Sequence, residues 1–202
     1  MNSKYRLFYH LGNILILLSL FGFVYTFFPI LQIYLFPPAI KTVLPAKGMF
    51  ITIPKIHAQA PVTENVNPWN EAVYKEVLKK SVAQAKGTSL PGQNGTIFLF
   101  AHSSGAPWEL TRFNTIFLRL GELQPGDKII IERNGKIYNY KVREKKVVFP
   151  DEVQYLLQTK RTQLVLQTCT PIGTSLKRLL VFADKIWYYC FFFFLLVFFS
   201  IF

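Results

Sequence analysis

Cysteine is scarce in this 202-residue chain, which has only Cys169 in its middle and Cys190 in an apolar tail. Two thiols so differently placed are not expected to pair, and that excludes a disulfide framework. The three histidines are scattered and share no ligand spacing with the cysteines, so no metal site is expected. Acidic residues are few as well: 11 Asp and Glu face 23 Lys and Arg, for a formal charge of +12. Dense basic helices and known nucleic-acid motifs are missing, because the basic residues are dispersed as Lys79-Lys80, Lys145-Lys146 and Lys160-Arg161. Nucleic acid is therefore not the expected partner, and the basic excess points instead to anionic lipid headgroups or an acidic cell wall. Internal repeats are absent too.

Formal charge vanishes altogether from Leu11 to Phe36. As a helix that stretch would be about 39 Å long, enough to cross a ~30 Å hydrocarbon core. Pro29 is a candidate kink, which would end the crossing near Phe28. A cleaved signal peptide would have a shorter apolar stretch, and the A-x-A at Ala58 to Ala60 lies far beyond it in a strand-like run. An uncleaved anchor is expected, with Lys4 and Arg6 keeping the N-terminus cytoplasmic and the following domain outside. Ile186 to Phe202 forms a second apolar run with no Lys or Arg after it. At about 26 Å it is marginal as a span, so it is read as a short second span or membrane-dipping tail, against a tail packed on protein.

These boundaries divide the chain into a cytoplasmic N-terminus (1–10), an anchor (11–36), a linker (37–47), a folded domain (48–185) and a tail (186–202). In the domain, Gly48 to Val62 reads as short β runs broken by Pro54 and Pro61, which favours an edge strand. Asn67 is read as a helix cap with Pro68 at the first helical position, and "WNEAVYKEVLKKSVAQA" as about three helical turns. Gly87 to Gly95 is a loop, "TIFLFAH" a buried strand ending at His102, and Asn134-Gly135 the turn of a hairpin. Many short strands, little helix and no βαβ alternation argue for a compact β-barrel or sandwich.

Cys169 follows the strand "QLVLQT", and Arg178 opens the strand "RLLVFA" after a loop from Thr170 to Lys177. If those strands are antiparallel neighbours, the thiol and the guanidinium face each other at one rim, and His102 also stands at a strand end. A thiolate nucleophile, an imidazole acid/base and an oxyanion-stabilising guanidinium together make cysteine acyl-transfer machinery. A free thiol outside the cell is an oxidation hazard, so its presence is evidence that it does chemistry. Taken singly, each group has a plainer reading: a small core cysteine, a hydrogen-bonded structural histidine, an arginine in a surface ion pair.

The segments "ITIPKI", "GTSLPGQNGT", "FLFAHSSG", "LQPGDKIII", "LVLQTCTP" and "RLLVFA" resemble, in order and spacing, those of the sortases, membrane-anchored cysteine transpeptidases of the bacterial cell surface. The resemblance covers roughly Phe50 to Ala183. It implies a mostly-β, closed barrel of about eight strands with one or two short helices, Cys169 as nucleophile, His102 as general acid/base and Arg178 as oxyanion or substrate-positioning group. Thr168 is a further candidate for contacting the oxyanion or substrate. The implied substrate is a protein with a Leu-Pro-X-Thr-Gly-like sorting motif, and the acceptor an amine of cell-wall precursor or surface protein, with no cofactor. A hydrolytic cysteine peptidase and an inactive membrane-tethered binding module are the alternatives. Ala101 replaces the glycine usual before the family's histidine, and Ser81 and Gln84 stand where many relatives have glycine and histidine. The "NPW" of Asn67 to Trp69 superficially resembles the Asp-Pro-aromatic lid of pilin-polymerising members, but it follows "IPKI" and is read as a helix start.

Overall fold

The computed structural model describes residues 3–41, 45–103, 115–156 and 161–186. Residues 104–114, expected to form a loop, and the apolar tail beyond Ile186, with Cys190, lie outside the described residues. The N-terminal helix α1 spans Ser3–Leu35, and its stretch Arg6–Phe28 has a mean hydropathy of 2.0 and no fully buried residue. By length and composition that stretch can cross a membrane.

Eight strands close into a barrel: β1 (Met49–Ile53), β2 (Ala58–Val66), β3 (Val82–Ala85), β4 (Thr96–Phe100), β5 (Lys128–Arg133), β6 (Lys136–Val148), β7 (Gln163–Thr170) and β8 (Lys177–Lys185). Their order around the barrel is β1-β2-β3-β4-β7-β8-β6-β5. The β2–β3 and β4–β7 pairs are parallel and the rest antiparallel. Alternation along the strands sends Ile97, Leu99, Leu164, Leu166, Val181 and Ala183 into the barrel, where they are buried. The opposite face of the same strands is also covered. Tyr74 meets Phe100 edge-on at 6.0 Å, and Tyr155 meets Phe182 at 5.8 Å. Burial on both faces explains why β4 reads as an unbroken apolar run rather than an alternating one.

The hairpin turn falls where the sequence places it, with Asn134 at φ 50° and Gly135 at φ 75° joining β5 to β6. Both positive angles suit a two-residue primed turn. Closure removes the barrel's edges, so the prolines do not mark an edge strand in the ordinary sense. Pro54 opens a 3₁₀ turn, Pro54–Ile56, between β1 and β2. Pro61 pairs with Phe50 of β1 just before β2 meets β3 at Val62, so its part of β2 has a strand partner on one side only.

The helix after Asn67 differs from expectation. Helix α2 spans Glu71–Leu78, and its cap is Asn70, whose Oδ1 accepts from the Val73 amide at 3.2 Å. Asn67 instead accepts from the Trp69 amide at 3.0 Å, closing a local turn that leaves Pro68 outside the helix. The helix stops early because Val82–Ala85 is strand β3, buried along its whole length between β2 and β4. Burial in the sheet overrides the helix propensity of "SVAQA". The absence of βαβ alternation is corrected with it, since β2, α2 and β3 form such a unit with parallel strands. Asn70→Ala is expected to cost about 1 kcal/mol of stability. A denaturant midpoint for the detergent-solubilised chain equal to the wild type would show that the cap is unimportant.

Candidate active site

β4 and β7 run parallel with Phe100 opposite Gln167, and β7 and β8 run antiparallel with Cys169 opposite Arg178. Continuing the β4–β7 register by two residues brings His102 level with Cys169. Adjacent strands lie about 4.8 Å apart. The ends of β4, β7 and β8 thus carry His102, Cys169 and Arg178 as a row of neighbours with the thiol in the middle. All three line one cleft of about 980 Å³, and each is partly exposed.

The cleft lies on the outer face of these strands. α2 forms one wall through Tyr74 and Leu78, and the segment after β6 forms the other through Phe149, Tyr155 and Leu156. Neither wall was recognised from sequence. The available signal was the pair of tyrosines, Tyr74 within α2 and Tyr155 within the 3₁₀ turn Val153–Leu156, which the fold packs on phenylalanines of the sheet.

β7 and β8 extend further than the sequence implies, pairing Thr170 with Lys177, so the connecting loop is confined to residues 171–176. The cross-strand pair Cys169–Arg178 therefore stands inside the ladder rather than beyond it, where opposed side chains are held to one face. The Arg178 guanidinium is tethered by donating to the Ser175 carbonyl at 3.0 Å and the Lys177 carbonyl at 3.3 Å.

Thr168 has a different placement. It is next to Cys169 in β7, so its side chain points to the opposite face, where it is only 4% exposed. Its hydroxyl donates to the Ala101 carbonyl at 3.1 Å, while the Ala101 amide donates to the Gln167 carbonyl at 3.1 Å. These two bonds fasten the residue before His102 to the two residues before Cys169. Gln84 and Ser81 also have structural tasks. Gln84 Oε1 accepts from the Asn65 amide at 2.6 Å, and Ser81 Oγ shares a hydrogen bond with Thr63 Oγ1 at 2.7 Å. Among the described residues, no three His, Cys, Asp or Glu side chains converge as a metal-ligand set.

The chain has relatives among known proteins. A family model for the sortase domain matches residues 51–186. Sortase D of Bacillus subtilis (strain 168) is 28% identical over 140 residues, which cover 67% of this chain and 62% of that protein. The chain thus spans less than two thirds of that curated relative. Among solved structures, the pilus-related sortase C of Group B Streptococcus is 32% identical, with 72% of this chain and 70% of that one covered at a TM-score of 0.59. A sortase D5 transpeptidase of Clostridium perfringens is 25% identical, with 70% and 79% covered at a TM-score of 0.57.

Proposed function

Because the chain belongs to the sortase family, we propose that it is a cysteine transpeptidase that cleaves a Leu-Pro-X-Thr-Gly-like sorting motif and passes the acyl group to an amine. The row of His102, Cys169 and Arg178 along one cleft is the observation that supports this reading. Cys169 Sγ, its proton passed to His102, attacks the scissile carbonyl carbon, and the carbonyl oxygen takes up negative charge beside the Arg178 guanidinium. The C–N bond then breaks, His102 delivers a proton to the leaving amine, and a thioester remains on Cys169. An incoming amine attacks the thioester, loses its proton to His102, and releases the new amide with the thiol restored.

Thr168 acts in this scheme as a positioning residue. Its bond to Ala101 fixes where the His102 segment leaves the barrel relative to Cys169. α1 anchors the chain in the membrane with the N-terminus cytoplasmic and the barrel outside, where sorting-motif proteins and amine acceptors of cell wall or surface protein are met. Incubating the detergent-solubilised full chain with a sorting-motif peptide, with and without an amine, tests the reaction. The expected products are a thioester-linked mass on the protein and an amide conjugate that requires the amine. Hydrolysed peptide alone, at a rate indifferent to amine, would replace transpeptidase with peptidase.

Arg178→Lys should lower kcat/KM for transfer by about 10²-fold, a loss typical of removing an oxyanion donor. Lysine keeps the charge but loses the planar guanidinium, whose Nη1 donates to both the Ser175 and Lys177 carbonyls in a residue paired across the strands with Cys169. Wild-type kinetics for this variant would reduce Arg178 to a surface cation.

A further inference from the structure

Exposed apolar side chains are not spread evenly over the barrel. From Met49 onward, every large one among the described residues except Ile137 lies at the start of α2, around the end of β6, or in the β7–β8 loop. The most prominent are Trp69 (70% exposed), Phe149 (58%), Ile172 (50%) and Leu176 (68%). Trp69, Phe149 and Ile172 all line the cleft. Cations accompany them: Lys177 Nζ stands 5.2 Å from the centre of the Phe149 ring, and Lys146 Nζ stands 5.0 Å from that of Tyr155. An apolar rim in which lysine ammonium groups stand over aromatic rings is the composition of an interfacial membrane contact. Two acids at the rim are engaged locally, Glu71 with Lys75 at 2.7 Å and Glu152 with the Phe149 amide at 2.9 Å.

α1 approaches the barrel at this same end. Phe27, one residue before the end of the apolar span, lines the cleft. Tyr34, on the same stripe of the helix and ~10 Å further out, lies with its ring 5.1 Å from the Arg119 guanidinium, which is paired with Glu122 at 2.7 Å. Residues on either side of 42–44 continue the alignment. Both backbone groups of Lys41 bond to the Gln59 side chain, and Gly48 reaches Asn134 Oδ1 at the hairpin end. The chain therefore leaves the membrane span beside the cleft and runs away from it along the barrel.

We infer that the cleft end of the barrel is a membrane-docking surface: Trp69, Phe149, Ile172 and Leu176 sit in the headgroup and upper acyl region of an anionic bilayer, and the cleft opens there. This rests on the proposed reading of α1 as an anchor. The hairpin end then points away from the bilayer, since Ile137 is separated from Val148 by nearly the full length of β6, about 35 Å. A cleft so placed receives substrates that are themselves held at the membrane surface.

The test uses the full chain in vesicles of phosphatidylglycerol and phosphatidylcholine brominated in the upper acyl chain. Trp108→Phe with Trp187→Phe leaves Trp69 as the sole tryptophan of the three. Its emission should shift to the blue and lose roughly half its intensity to the bromines. A second protein, with Trp69→Phe and Ile137→Trp added, should ignore the bromines and be quenched by acrylamide in the water. Equal exposure to water at both positions overturns the docking. So does a Trp69 that ignores lipid and responds only to an added sorting-motif peptide, which would assign the rim to peptide binding. Flotation of the vesicles after an alkaline wash reports anchoring separately. Protein lost in that wash overturns the anchor reading and the docking that rests on it, whereas protein that floats with Trp69 in water overturns the docking alone.

Discussion

Cys169→Ala is expected to reduce peptide transfer to an amine by about 10³-fold or more, the largest effect in the molecule, because the proposed reaction forms its covalent acyl intermediate on this thiol. Cys169 is half-buried at the end of β7 and opposite Arg178, so trimming it to a methyl group leaves the ladder and the barrel interior untouched. The loss is therefore expected with an unchanged far-ultraviolet spectrum and unchanged denaturant midpoint. The chain's other thiol, Cys190, provides an internal control. Cys190→Ala should still acquire the mass of a thioester-linked peptide, while Cys169→Ala should not. Transfer at the wild-type rate by a folded Cys169→Ala protein would end the case for thioester chemistry.

The parts of the barrel legible in the sequence were those where one local signal dominates. β4 declared itself as an apolar run and the β5–β6 hairpin by Asn134-Gly135, which only a primed turn accommodates comfortably. β3 was hidden because its four residues carry helix-forming alanines, and the reason for extending them is supplied by β2 and β4 on either side. A short strand buried all round has no period of its own to read. The helix cap was displaced by three residues for a related reason: Asn67 and Asn70 are both capable caps, and the turn that Asn67 makes with Trp69 decides between them.

The site follows the same division. That Cys169 and His102 end strands could be seen from the apolar runs before them, and the Cys169–Arg178 juxtaposition follows from treating those two runs as a hairpin. The alignment of His102 with Cys169 depends on parallel pairing of β4 and β7, segments separated by 67 positions, and no local pattern encodes that register. Thr168 shows the limit of reading by adjacency. Being next to the thiol in sequence puts its side chain on the other side of the strand, where it braces the His102 segment.

His102 carries the second large effect. His102→Ala should lower amine transfer by roughly 10²- to 10⁴-fold, the range for losing a positioned acid/base group. Both halves of the reaction move a proton, to the departing amine and from the arriving one, so acylation and resolution of the thioester should both slow. A structural histidine could produce a loss of activity too, which makes the loss alone a weak criterion. The side chain lies in the wall of a cleft of about 980 Å³ and is itself partly exposed. Its removal leaves room for a free imidazole molecule beside Cys169. Added imidazole should therefore restore part of the transfer rate in His102→Ala, in proportion to its concentration, and leave Cys169→Ala inert. Rescue identifies the missing function as proton transfer, because a small diffusible base cannot repair a displaced strand end. Near-wild-type transfer in His102→Ala, or a loss that imidazole never relieves, would remove His102 from the reaction and leave Cys169 to be served by another base.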